Sequence, residues 1–190
     1  MGKKMGFRRG GRVLDKAKAM RSRGQHDKAI RYLEDAMERE RRRRNPEPLM
    51  MAAYQNEKAC ILYRAGSTER AAEEIQECLD LIDKGGIDND EFHAKVLRNQ
   101  GVFLRELGRF KEARRSLRTA RWIDDRRGPE GAYDSANDHY QLGLVLSGLN
   151  RHGEALAVFE ETLTMYSDLS RGPTKEMGLT LNNIALQLYS

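Results

Sequence analysis

Apolar runs long enough to cross a bilayer are missing from this 190-residue chain. A membrane-spanning helix needs about 20 consecutive apolar residues. Here charged residues make up 33% of the sequence and mean hydropathy is −0.76. The basic start, Met1 to Gly11, lacks the apolar segment of a secretory leader, and Gly6 stands where a myristoylation motif has Ser or Thr. No membrane insertion is expected, and a soluble, cytoplasmic protein is. Cysteine is nearly absent too. Cys60 and Cys78 have neither CxxC nor Cys/His ligand spacing, so a disulfide framework or zinc site is not indicated, and both read as packing residues. The four histidines form no HExxH motif, and the glycines form no phosphate-binding loop after a strand. Acidic pairs such as Glu73-Glu74 and Glu160-Glu161 point in different directions on a helix and suit a solvated face. No catalytic constellation emerges and no cofactor is called for: the expectation is a protein that is not an enzyme.

What the chain has instead is repetition. From Arg98 to Ala120 two amphipathic patterns meet at Leu107-Gly108-Arg109-Phe110. Leu97, Gly101 and Leu104 share one helical face, and Ala113, Leu117 and Ala120 share another. This is a helical hairpin in which Gly101 and Ala113 permit close approach and Gly108 the reversal. The small residue of the first helix recurs at 17, 59, 101, 143 and 185, an interval of 42 (Ala17, Ala59, Gly101, Gly143, Ala185). The turn residue recurs as Gly24, Gly66, Gly108 and Asn150, and the second helix as Ala29, Ala71, Ala113 and Ala155. After these come Leu33, Ile75, Leu117 and Phe159, then Ala36, Cys78, Ala120 and Thr162. Such a sequence specifies stacked two-helix units, each burying its apolar face on its neighbours.

Leu97, Gln100-Gly101 and Leu104 followed by Ala113 and Leu117 resemble the tetratricopeptide repeat (TPR) pattern, and Leu142-Gly143, Leu146, Ala155 and Phe159 resemble it more closely. That family's usual period is about 34 residues; the longer unit here resembles kinesin light chain-like repeats, whose first helix Leu181-Asn182-Asn183-Ile184-Ala185 is similar to. The resemblance implies an all-α, right-handed α-α superhelix, a TPR-like solenoid of four helical hairpins plus a terminal helix.

The chain divides into a basic mobile tail, 1–11, and a solenoid, 12–190, with repeats at about 10–51, 52–93, 94–135 and 136–177 and a final helix at 178–190. Asn45-Pro46-Glu47 reads as an N-cap, a first-turn proline and a first-turn acid. His26 and His152, two residues after their turns, are expected to pack, as are Trp122 and Tyr133 near a repeat junction. In the last helix, Leu181, Ile184, Ala185 and Leu188 are expected to pack on the preceding hairpin. Its partly apolar remainder suggests a homodimer through that end.

Two residues before each small position, about 200° around the helix, stand Asp15, Glu57, Asn99, Gln141 and Asn183. In a stacked superhelix first helices line the concave side, and amides there could both donate to and accept from the backbone of an extended peptide. The resembling family uses first-helix asparagines in this way. Lys95, Val102, Leu144 and Arg64 flank the row, and Arg98 and Asn182 stand at its rim. These ten residues, Glu57 to Asn183, form the candidate peptide-binding groove. The alternative is that amides simply suit a half-wet helix face. Residues 1 to 48 carry a net charge of +9 and the remainder −4. A basic adaptor for nucleic acid or an acidic surface is therefore an alternative, but with only Phe7 and Tyr32 among those cations a base-stacking surface is not expected. A self-assembling architectural protein is the other alternative. The favoured expectation is a non-catalytic module for a protein or peptide ligand.

Overall fold

The computed structural model describes the backbone from Gly2 to Tyr189 and side chains from Gly11 to Tyr189. Among the described residues there are nine α-helices and no strand. They are α1 (Gly2–Ser22), α2 (His26–Arg41), α3 (Pro48–Arg64), α4 (Thr68–Gly85), α5 (Asp90–Glu106), α6 (Phe110–Arg126), α7 (Ala132–Gly148), α8 (His152–Leu169) and α9 (Lys175–Leu188). A 3-10 turn, Gly128–Glu130, precedes α7. The fold is an all-α helical repeat, in two compact units, Met1–Asp88 and Asn89–Ser190.

Each hairpin turn uses the same backbone device. Gly24, Gly66, Gly108 and Asn150 adopt φ of 71°, 83°, 71° and 57°, the left-handed region that favours glycine. The next residue's N–H then reaches back to the helix it has just left: Gln25 to the Met20 carbonyl at 3.0 Å, Ser67 to Leu62 at 2.9 Å, Arg109 to Leu104 at 2.8 Å and Arg151 to Leu146 at 3.0 Å. These bonds satisfy carbonyls that a helix end would otherwise leave open.

In the first unit, α1 to α3 bury Ala17, Ala29, Leu33, Ala36 and Ile61 around Met37, Met50, Met51 and Tyr54, with Leu81 of α4 packed against them. In the second, Leu104, Ala113, Leu117, Leu142 and Val145 form one cluster, and Leu146, Ala155 and Phe159 another. The small-residue columns do what their spacing requires: Ala17, Ala59, Ala71, Ala113 and Ala155 have no exposed surface.

Two expectations are corrected, on the start of α3 and on the packing of α9. The backbone of residues 2–11, read as a tail, lies within α1; Lys, Arg and Met favour helix. Met1, the side chains of residues 2–10 and the mobility expected of them lie outside the described residues, as does Ser190. Pro48, not Pro46, opens α3; Glu47 precedes a proline and is held extended at φ −96°, ψ 110°, so the helix begins no earlier. In α9, Thr180 is buried and Ile184 packs on the preceding hairpin, but Leu181 and Leu188 are 52% and 64% exposed. Leu181, Ala185 and Leu188 share the register of Leu97, Gly101 and Leu104, the face that in α5 receives its own second helix, and α9 has no such partner among the described residues.

Candidate functional site

The amide row falls in the second unit. Asn99 on α5, Gln141 on α7 and Asn183 on α9 are each half-buried. Asn183 Nδ2 donates to Tyr140 Oη at 2.9 Å, tying α9 to α7, and to the Leu179 carbonyl at 2.9 Å. Arg98 Nε donates to Asp138 Oδ1 at 2.5 Å and ties α5 to α7. The first helices of this unit are thus pinned side by side, with their amides in succession. Gln141 Oε1 is buried and accepts no hydrogen bond among the described residues. Val102 and Leu144 are half-buried beside the row, and Lys95 and Asn182 are exposed. Glu57 and Arg64 belong to the first unit. Arg64 is exposed there, whereas Glu57 is buried and paired with Arg21 Nη1 at 3.0 Å.

Arg98 is not a free rim cation. Its guanidinium reaches Asp124 Oδ2 at 2.5 Å and Asp134 Oδ1 at 3.1 Å as well as Asp138. Arg127 Nη1 lies 2.5 Å from Asp124 Oδ1 and 3.3 Å from Asp134 Oδ2. Asp124 and Asp138 have no exposed surface. Burial pushes the Asp138 carboxyl up to about 7, even though Arg98 pulls it down. For Arg98, burial disfavours the cation, but Asp138, Asp134 and Asp124 more than offset it and its pKa is raised. Two buried carboxylates and a guanidinium fasten three helices; a ligand would have to break this network to use Arg98.

Another feature lies on the second-helix side. A cleft of about 320 Å³ runs between α6 and α8 over α7, with Arg114, Arg118 and Arg121 along one wall and Leu142, Leu146 and Val158 inside. Trp122, expected to pack, is 59% exposed at its edge, with the Arg126 guanidinium 4.7 Å from its ring centroid. Tyr133 is 49% exposed and rests against Tyr166, their ring centroids 5.9 Å apart. His139, buried in the cleft wall, meets Arg121 through Nδ1 and Glu161 Oε2 through Nε2 at 2.9 Å. Burial, then Arg121, lower its pKa.

Sequence reasoning missed both the ion network and the cleft, yet a signal for the network was present. Asp124 and Asp138 stand one repeat after Ile82 and Val96, both buried apolar residues, and a charge at such a position announces a buried pair. Cys78 is buried and donates its thiol to the Ala52 carbonyl at 3.1 Å; Cys60 is half-buried, and both are free. Half-buried His152 faces Gln187 Oε1 through Nδ1 at 2.9 Å. Among the described residues no group of three or more His, Cys, Asp or Glu could hold a metal ion, and no helix is long and apolar enough to cross a membrane.

Two family models described as tetratricopeptide repeat match the chain, one over residues 14–85 and one over 92–168, together well over half of it. No curated protein sequence matches. Among solved structures, the chain resembles the nearly identical TPR-like repeats of a Podosopora anserina protein of kinesin light chain type, at 15% identity over 95% of this chain and 86% of that one, TM-score 0.78. It also resembles BtubC (BKLC) from P. vanneervenii, at 20% identity over 91% and 69%, TM-score 0.80. The second TPR domain of human RPAP3, solved in complex with the HSP70 peptide SGPTIEEVD, is similar at 18% identity over 74% and 98%, TM-score 0.55.

Proposed function

We propose that this chain, which belongs to the tetratricopeptide repeat family, is a non-catalytic protein-interaction module that holds an extended peptide against Asn99, Gln141 and Asn183. The family supports an interaction module in general. The observation that carries the finer reading is the row of three half-buried amides on first helices that the Asn183–Tyr140 and Arg98–Asp138 bonds pin side by side. Amides on a common face can pair with peptide N–H and carbonyl groups in turn, and Val102 and Leu144 offer apolar footing for side chains. The peptide-bound RPAP3 domain supports the reading by fold. Lys95 and Asn182 remain in this site as exposed flanking contacts. Arg98 serves it by positioning α5 against α7, and Glu57 and Arg64 are left out. Peptides selected against the protein from a random display library should lose at least about tenfold in affinity with Asn99→Ala/Gln141→Ala while helicity stays unchanged. Undiminished binding of every selected peptide would sink the reading.

A second reading rests on the exposed stripe Leu181, Ala185 and Leu188: α9 pairs with the α9 of another copy. Sedimentation should show mass rising with concentration, and Leu181→Glu/Leu188→Glu should hold the protein monomeric. A monomer at every concentration removes it.

A further inference from the structure

The cleft between α6 and α8 sets cations without an ion-pair partner among the described residues, Arg114 and Arg118, beside an apolar floor. Lys111, Arg114 and Arg118 project along α6 and have no salt-bridge partner among the described residues. By contrast, Arg109 and Arg151, at the N-caps of α6 and α8, are each locked by a nearby glutamate at 2.6 Å or closer. Leu142, Leu146 and Val158 form the floor, and Trp122 the edge. Unpaired guanidinium groups call for an anion, and a greasy floor beneath them calls for an apolar side chain on the same ligand.

We infer that this second-helix face is a separate docking site for an acidic peptide in which carboxylates alternate with apolar side chains. Spacing favours such a peptide. Arg114 and Arg118 are four residues apart, about 6 Å of helical rise. Alternate residues of an extended strand are about 6.6 Å apart. Carboxylates two residues apart would therefore meet the two guanidinium groups, and the residue between them would point away from α6, toward the wall that Val158 of α8 supplies. Nucleic acid fits less well. Trp122 already carries Arg126 over its ring, and a floor of aliphatic side chains offers no stacking platform for successive bases.

The chain carries a single tryptophan, so Trp122 emission reports on this site directly. The probe is a synthetic peptide of about twelve residues alternating Asp and Leu, with oligo-aspartate of the same length and polyuridylate as comparisons. The alternating peptide should produce a saturable change in emission that weakens with added salt. Arg114→Glu/Arg118→Glu should reduce its affinity at least about tenfold with helicity unchanged, and Asn99→Ala/Gln141→Ala should leave it intact. That second variant separates this site from the amide row. Lack of a saturable change, or full binding by the charge-reversed variant, would overturn the inference. So would oligo-aspartate or polyuridylate binding as tightly as the alternating peptide.

Discussion

A Cβ placed on Gly143 would lie 2.6 Å from Cε1 of Phe159. The same pair of columns meets one repeat earlier, where a Cβ on Gly101 would lie 2.5 Å from Cγ of Leu117. Glycine in the first helix is therefore the space into which the large residue of the second helix fits. Phe159 is wholly buried and has nowhere to swing. Gly143→Ala should overpack the crossing by about 1 to 3 kcal/mol, with up to about 1 kcal/mol returned by the better helix propensity of alanine. Net destabilisation in urea unfolding is expected. Gly178 in α9 has no atom within 4 Å of its hypothetical Cβ, so Gly178→Ala should stabilise by about 0.4 to 1 kcal/mol. Equal effects at the two glycines would contradict the packing account.

The crossings could be read in the sequence because each copy repeats the same compromise between a small residue and a large one. Gly101 with Leu117 and Gly143 with Phe159 keep identical spacing, so one hairpin predicts the next. The site was legible only in part. Asn99, Gln141 and Asn183 are placed by register alone, whereas Glu57 in the same register is drawn into a pair with Arg21, a residue 36 positions away with no repeat-wide counterpart. The ties of Arg98 were hidden for a related reason: Asp124 and Asp138 stand where the preceding repeat has the buried apolar Ile82 and Val96, so no repeated pair points to them. Trp122 was misread because a lone aromatic at a junction gives no periodic clue to which side of its helix it faces.

Removing Arg98 should cost far more than losing an exposed ion pair. Arg98→Met leaves Asp124 and Asp138 buried without their shared guanidinium, a change of about 3 to 5 kcal/mol. The loss should be greatest above pH 7 and smaller near pH 5, where Asp138 can take up a proton in place of the missing cation. Denaturant melts of both proteins at the two pH values measure it. A loss under 1 kcal/mol, as for a surface pair, would show that the network does not hold α5, α6 and α7 together.

The two thiols should differ sharply in reactivity. Burial pushes the Cys78 thiol up to about 12, so almost none of it is thiolate at neutral pH, and no surface of it is exposed. Cys60 is half-buried. A thiol reagent under native conditions should modify Cys60 first, with Cys78 reacting only after denaturation. Mass spectrometry of timed digests would show the order, and equal rates would refute the packing of α4 against α3 at Ala52.

Neighbouring residues on α7 should give stability opposite slopes with pH. Asp138 is raised from 3.8 to about 7 by burial, against the pull of Arg98. Its contribution is full below about 3.8 and is lost as pH rises through 7. His139 is lowered from 6.5 by burial and by Arg121, with Glu161 and Asp125 opposing. Its contribution is present above 6.5 and is lost as pH falls through its folded value. Physically, the fold favours a protonated Asp138 among Arg98, Asp124 and Asp134, and a neutral His139 that accepts from Arg121 through Nδ1. The wild type should therefore lose ground to Asp138→Asn as pH rises from 4 to 8, and lose ground to His139→Leu as pH falls below 6.5. Urea midpoints across that range measure both differences. A wild type that gains on Asp138→Asn with rising pH would mean that pairing with Arg98, rather than burial, governs that carboxyl.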